Sequence, residues 1–326
     1  MSHASWFDPD RLFKHPDDYA AFVGQPYAEL CETMTARFEA ESSTPARIAE
    51  HRKLREELEG HLSSIDGFEE RPAELACRIA TGFFRMFYLE QALLTMSAGR
   101  EDFFDRIVTV NGLDRVKDII AEDGGVQFAL AHHGPHFLVH LLLAKLGIEC
   151  SVGGALTDDF GQGHLAWADR LQIPIDAAKA VDFSDNFGRA MAALVASGQS
   201  LTLYPEYSRS KRLGRHTTTF LGQTVHLPTG VARLAKMTQR RLVGVRMLRT
   251  APYRYTLEFG PAISVGHADD QMSVPDAAAE MLRFVEEAVK AEPENWEGWR
   301  YFRIMKANGL QVMLRNLAAE RRRMAS

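Results

Sequence analysis

Four histidines stand close together in the middle of the chain, and their side chains are suited to acid–base chemistry. They are His132, His133, His136 and His140, in the segment AHHGPHFLVH that follows the apolar run VQFALA. A neutral imidazole takes a proton from a hydroxyl or an amine near neutral pH. Catalytic groups of open α/β sheets gather beyond the carboxyl ends of strands, so His132 is a candidate general base.

Two other roles for these histidines stay open on residue type alone. His136 and His140 stand at i and i+4 of a predicted helix, a spacing that allows both rings to bind one metal ion. No acidic residue or cysteine lies nearby in sequence to complete such a site, so we expect no metal and no other cofactor. The remaining role is structural, which one or two of the four histidines would fill.

The elements that must position this cluster alternate between strands and helices, which predicts an α/β fold with a mostly parallel central sheet flanked by helices. The predicted strands are IVTV (107–110), VQFALA (126–131), CSVGGAL (150–156), LTLYP (201–205), LVGVRML (242–248) and YTLEFG (255–260). The predicted helices between them are Leu113–Ala121, Pro135–Leu146, Phe160–Leu171, Asp185–Ala196 and Thr229–Met237.

Helical patterns also precede and follow the predicted sheet. We expect a helical extension over residues 1–105, an α/β domain over 106–270, and C-terminal helices over 271–326 that pack on the same domain. Thr44 before Pro45, and Ser273 two residues before Pro275, are both typical of helix N-termini.

Composition excludes several classes of protein. The chain has 326 residues, of which 46% are hydrophobic and 25% charged, as in ordinary folded domains. Its three scattered cysteines suit a reduced, cytoplasmic setting. We find no secretory signal, no membrane span, and no motif for dinucleotides, nucleoside triphosphates or serine hydrolysis.

Charge is segregated along the chain. The total is −5, yet the stretch from Tyr207 to Leu257 contains eleven Lys and Arg residues and no acidic residue. Such a segment presents a positive face to a negatively charged partner, unless the clustering on solvated loops is due to chance. Because no nucleic-acid-binding module is recognisable, we do not expect that partner to be a nucleic acid.

The order of strand, AHHGPHF, helix and LG resembles the lysophospholipid acyltransferase superfamily, and more closely the late acyltransferases of lipid A synthesis (lauroyl and myristoyl transferases). His132 and Gly134 match the His and Gly of that family's T-H-x-G-N-W-E segment, whereas Pro135 and His136 replace its Asn and aromatic residue. Three further segments resemble family motifs in the same order: SGQSLTLYPEYS (197–208), FLGQTVHLPTGVARLAKMTQRRLVGV (220–245) and PENWEGWRYF (293–302).

This resemblance implies an acyltransferase that moves a fatty or related acyl group from an acyl carrier protein or coenzyme A thioester, with His132 as general base. The acceptor would be a hydroxyl or amine of a lipid or small molecule. The family's acidic dyad member would fall at Phe137, and Glu206 is our leading substitute because it also follows a strand. A backbone carbonyl or His133 could orient His132 instead, and Glu206 could simply pair with a neighbouring arginine.

The same resemblance suggests where substrates would bind. Cationic side chains suit the phosphates of coenzyme A or an acidic carrier protein, and Arg209 or backbone N–H groups near Gly222 suit the oxyanion. The expected substrate-binding residues are His133, His136, Arg209, Lys211, Arg212, Arg215, Phe220 and Gly222. A basic tail from Leu310 to Arg323 suits peripheral contact with the inner face of the cell membrane, and it equally suits a solvated terminal helix. The alternative is a non-catalytic module that binds acyl carrier protein or lipid on the same scaffold.

Overall fold

A computed structural model describes most of the chain. It covers residues 26–65, 68–86, 103–136, 138–154, 180–182, 187–206, 216–266, 271–300 and 302–306. Several sequence-based predictions therefore lie outside the described residues. They concern Phe137, the helix Phe160–Leu171, the four cationic residues from Arg209 to Arg215, and the basic tail from Leu310 to Arg323.

The described strands form a central sheet and a separate hairpin. In chain order they are β1 (Val108–Asn111), β2 (Gln127–Leu130), β3 (Cys150–Gly154), β4 (Ala180–Asp182), β5 (Ser200–Leu203), β6 (Thr217–Phe220), β7 (Gln223–His226), β8 (Leu242–Ala251) and β9 (Arg254–Ile263). The sheet has seven strands in the order β1-β9-β8-β2-β5-β3-β4, and β6 pairs with β7. Strands β8, β2, β5, β3 and β4 are parallel, whereas β9 and β1 run the other way. The predicted mostly parallel α/β fold is confirmed.

Strands β2 and β5 are adjacent at the centre of this sheet. All four residues of each strand are buried, as expected for parallel strands covered by helices on both faces. The two strands pair in register from Gln127 with Leu201 to Ala129 with Leu203. The segments that follow them therefore leave the sheet at the same edge.

Helices lie before, between and after the strands. They are α1 (Tyr27–Ser42), α2 (Pro45–Leu62), α3 (Pro72–Phe84), α4 (Phe103–Ile107), α5 (Leu113–Asp123), α6 (Leu138–Lys145), α7 (Phe187–Ala196), α8 (Gly230–Thr238), α9 (Val274–Ala291) and α10 (Phe302–Met305), with 3₁₀ turns at Pro293–Asn295 and Glu297–Arg300. Ser273 caps α9 as predicted, since its hydroxyl accepts the backbone N–H of Asp276 at 3.3 Å. Among the described helices, none has the length and apolar character needed to cross a bilayer.

Two clusters of buried apolar side chains hold these elements together. The first joins Leu58 of α2 and Leu75 of α3 to Leu201 of β5 and Leu282 of α9. Helices α2 and α3 of the predicted extension therefore share a core with the sheet and with α9. The second cluster includes Phe128 of β2. Full burial of one such side chain contributes about 1.5–3 kcal/mol. The exact domain boundaries stay predictions.

Candidate active site

His132 and Glu206 meet where β2 and β5 end. His132 lies two residues beyond β2, and Glu206 lies three residues beyond β5. The Nδ1 atom of His132 is 3.0 Å from Oε2 of Glu206, and the backbone N–H of His132 donates to Oε1 at 2.7 Å. The structure thus brings together the two residues that we predicted to form the dyad.

The carboxyl group of Glu206 has no exposed surface, and polar groups of the protein surround it. Besides the two N–H groups of His132, the indole N–H of Trp296 donates to Oε1 at 3.4 Å. A buried carboxylate needs such donors, because it has lost its hydration. A carboxylate in its ionised form only accepts hydrogen bonds, and Nδ1 of His132 is then the donor while Nε2 keeps its lone pair. This is the tautomer that a general base requires when Nε2 meets the acceptor.

A segment from the C-terminal part of the chain pairs with the histidine segment. The backbone N–H of Gly134 donates to the carbonyl of Asn295 at 2.8 Å, and that of Glu297 donates to the carbonyl of His132 at 2.9 Å. Between these bonds, His133 and Trp296 form an antiparallel bridge. Two motifs that are distant in sequence therefore form one backbone unit around His132.

Gly134 allows this close approach. Its φ is +61°, and a Cβ placed on it would lie 2.7 Å from the carbonyl oxygen of Met247. A side chain at this position would be strained by the left-handed backbone conformation and would also clash with the carbonyl oxygen of Met247. Glycine is therefore the residue type that this position requires.

Replacing Gly134 by alanine is expected to lower the free energy of unfolding by about 2–3 kcal/mol, measured by urea denaturation. Gly147→Ala is the matched control, because Gly147 also has a positive φ, +77°, but has open space around its Cβ position. The control should lose only about 1 kcal/mol, the cost of the left-handed backbone. Equal losses in the two variants would show that the contact with Met247 does not constrain Gly134.

A second hydrogen-bonded network lies beside His132 and is formed by Tyr204, His136 and Glu297. The Tyr204 hydroxyl lies 2.8 Å from Nδ1 of His136, and Nε2 of His136 lies 3.0 Å from Oε2 of Glu297. Burial lowers the pKa of His136, although its hydrogen bond to Glu297 opposes this shift. Burial raises the pKa of Tyr204 well above its usual value, and the charges of Glu297 and Glu206 add to the effect. A neutral phenol therefore donates to a neutral imidazole, which in turn donates to Glu297.

The structure also describes His133, Phe220 and Gly222, which we expected to contact substrate. His133 is fully buried, with Nδ1 2.9 Å from the carbonyl of Met247 and Nε2 3.1 Å from that of Glu292. Phe220 is also fully buried and packs against Trp296, with ring centroids 5.4 Å apart. Both side chains support the site from the interior and offer a substrate no exposed surface.

Gly222 lies in the turn between β6 and β7, with a φ of +72°. Next to it, the backbone N–H of Leu221 donates to Glu286 at 3.1 Å, and the Gln223 amide donates to the carbonyl of Ser64. The hydrogen bonds described for this turn thus lead to Ser64 and Glu286 rather than to His132.

His136 is almost fully buried, and the network above engages both of its ring nitrogens.

The described surroundings of His136 and His140 offer no further ligands for a shared metal ion. Nδ1 of His140 lies 3.3 Å from the Thr202 hydroxyl, whereas the nitrogens of His136 face Tyr204 and Glu297. Within the ranges that the structure describes, no group of three or more histidine, cysteine or acidic side chains is placed to hold a metal ion.

Acidic residues from other parts of the chain neutralise part of the basic segment. Arg241 pairs with Asp123 at 2.8 Å and also with Glu122, while Arg246 pairs with Glu258 at 3.0 Å. These pairs reduce the positive charge that the segment presents to a partner. Four further cationic residues of the segment, Arg209, Lys211, Arg212 and Arg215, lie outside the described residues.

Tyr204, Trp296 and Glu297 were not predicted to belong to the site. All three lie inside the segments LTLYPEYS and PENWEGWRYF that carried the family resemblance. Tyr204 immediately follows β5, and polar residues at such positions face the same edge as His132. That position was an available signal for Tyr204, whereas nothing local in the sequence connects Trp296 or Glu297 to the histidines.

Comparisons with known proteins place the sequence of this chain in a family. The sequence profile described as bacterial lipid A biosynthesis acyltransferase matches residues 82–299, more than half of the chain. Four chains of solved structures match, among them the 1-acyl-sn-glycerophosphate (LPA) acyltransferase PlsC from Thermotoga maritima, at 13% identity and a TM-score of 0.34, over 73% of this chain and 97% of that one. No curated protein matches. The chain belongs to the bacterial lipid A biosynthesis acyltransferase family and is therefore an acyltransferase.

Proposed function

We propose that the protein transfers a fatty or related acyl group from an acyl carrier protein or coenzyme A thioester to a hydroxyl or amine. In this proposal His132 is the general base, and Glu206 is the carboxylate that orients it. The observation that carries the proposal is the double contact between these residues, 3.0 Å at Nδ1 and 2.7 Å at the backbone N–H. One carboxylate thereby fixes both the position and the tautomer of the imidazole.

The proposed reaction follows the usual course of acyl transfer. Nε2 of His132 removes the proton of the acceptor hydroxyl or amine while its oxygen or nitrogen attacks the thioester carbonyl. The C–S bond of the resulting tetrahedral oxyanion then breaks, and the departing thiolate takes the proton from the imidazolium. Glu206 stabilises that imidazolium between the two steps, because its buried negative charge lies against Nδ1–H.

In the family pattern the carboxylate follows the histidine on the same segment. Here that position is Phe137, and we propose that Glu206 on the neighbouring strand end replaces it. Adjacent parallel strands make this exchange possible, because residues beyond their carboxyl ends can reach the same imidazole from either side. The dyad would thus keep its chemistry while its acid comes from another part of the chain.

The choice of donor and any membrane contact rest on sequence alone. Arg209, Lys211, Arg212 and Arg215 suit either an acidic carrier protein or the phosphates of coenzyme A. We infer a peripheral location at an anionic membrane surface from the basic tail between Leu310 and Arg323. Cosedimentation with vesicles containing anionic lipid tests that location, and its absence at low ionic strength would contradict it.

The proposed reaction is tested by incubating the purified protein with radiolabelled acyl carrier protein or acyl coenzyme A and a panel of hydroxyl and amine acceptors. We expect transfer from one donor class, which is lost when His132 is replaced by glutamine. Binding of the carrier protein without transfer by the wild type would instead favour the non-catalytic module. Equal transfer by wild type and variant would exclude His132 as the base.

A further inference from the structure

The Tyr204 ring lies flat against the His132 ring. Their centroids are 3.6 Å apart, and the two planes are inclined by only 17°. His136 meets both rings edge-on, at 5.1 Å from His132 and 5.4 Å from Tyr204. Parallel stacking at this distance places the π face of the phenol over the imidazole that accepts the proton in the proposed reaction.

The position of the Tyr204 ring is fixed at its far end. Its hydroxyl donates to Nδ1 of His136, and Nε2–H of His136 donates to Glu297. Glu297 also holds His132 directly, because its backbone N–H donates to the His132 carbonyl at 2.9 Å. The contacts therefore form a closed cycle that runs from His132 through Tyr204, His136 and Glu297 back to His132.

These contacts come in addition to the hydrogen bonds by which Glu206 orients the base. Glu206 already binds His132 at the ring atom Nδ1 and at the backbone N–H. The stacked ring adds a different interaction, since a π face attracts a cation more strongly than a neutral ring. Its contribution thus becomes larger when His132 takes the proton of the acceptor in the proposed transition state.

From these contacts we propose that Tyr204 is a positioning residue of the acyl transfer, stacking on His132 to stabilise the imidazolium, with His136 and Glu297 holding the phenol in place. This inference rests on the proposed function of His132. It predicts an effect on the chemical step rather than on substrate binding. It also assigns a task to His136 and Glu297 that does not require either residue to touch a substrate.

The test compares Tyr204→Leu with Tyr204→Phe, both measured with the donor that the wild type uses. Leucine removes the π face, and we expect kcat to fall about tenfold with KM unchanged. Phenylalanine keeps the stacked ring but loses the hydrogen bond that holds it in place, so kcat should fall clearly less than in Tyr204→Leu. An unchanged kcat in Tyr204→Leu, or an equal loss in both variants, would overturn the proposal.

A second measurement uses the wild-type protein and needs no stable leucine variant. The protein is labelled with ¹³C at histidine Cε1, and the signal of the proton on that carbon is recorded for each histidine. The His132 signal is identified by its loss in His132→Gln. We expect it to lie upfield of the position of an unstacked histidine, because of the Tyr204 ring current. An unshifted signal would contradict the stack. Failure of this inference is distinguishable from failure of the proposed function, because wild-type transfer that depends on His132 would persist while the Tyr204 effects were absent.

Discussion

Replacing His132 by alanine is expected to lower kcat for acyl transfer by about 10²–10⁴-fold, the usual contribution of a general base. KM for the acyl donor should change little, because the proton moves only in the transition state. The measurement is a steady-state transfer assay with the preferred donor. The His132 side chain is 18% exposed, so added imidazole should enter the vacated space and restore part of the rate.

The matched control for this variant is His51→Ala. His51 is a partly exposed histidine on α2 that is hydrogen-bonded to Thr81, remote in sequence from the proposed dyad. Its replacement should leave kcat within about twofold of the wild-type value. A His132→Ala variant that remains folded and transfers acyl groups at the wild-type rate would end the general-base proposal.

Most of the central sheet was predictable from apolar runs. Each of the six predicted strands overlaps an observed strand, because short stretches rich in β-branched and aliphatic residues are typical of strands. The direction of β9 was not predictable in the same way. We expected a break of six residues between the last two strands, whereas β8 and β9 extend until only Pro252 and Tyr253 separate them. A connection of two residues allows only an antiparallel pair.

The hairpin of β6 and β7 was not predicted. Its strand TTTF is largely exposed and has no alternating apolar pattern. Its turn begins at Leu221, which adopts a φ of +50° although this conformation usually selects glycine or asparagine. Leu221 is fully buried, and its N–H is bound by Glu286, so tertiary contacts rather than local turn preference determine the turn.

The candidate site was predictable in part. The pairing of His132 with Glu206 follows from two strands whose carboxyl ends meet at one edge, a rule that needs only the strand order. The network of Tyr204, His136 and Glu297 depends on how residues 295–297 return to pair with residues 132–134. No local pattern encodes that return, because the pairing involves an isolated bridge rather than a strand. For this reason we expected His136 to contact a substrate, whereas it lies between the side chains of Tyr204 and Glu297.

The second large effect is expected for Glu206→Gln. Glutamine has the size of glutamate, but its amide nitrogen donates hydrogen bonds. If its carbonyl keeps the backbone N–H of His132, its NH₂ group faces Nδ1 and forces the imidazole proton onto Nε2. His132 would then have no lone pair to offer the acceptor, and the imidazolium would lose its counter-charge. We expect kcat to fall by about 10³–10⁴-fold, as for the equivalent change in a Ser-His-Asp triad.

Two controls separate this electrostatic role from a structural one. Glu206→Asp keeps the charge on a shorter side chain and should recover part of the lost rate. Glu280→Gln removes a carboxylate from a partly exposed ion pair with Arg283 and should leave the rate unchanged. Thermal unfolding of each variant shows whether the fold persists. A folded Glu206→Gln protein with wild-type kcat would mean that His132 needs no carboxylate. The base would then be oriented by its own backbone bonds and by the stacked ring of Tyr204, which would make Tyr204→Leu the more damaging change.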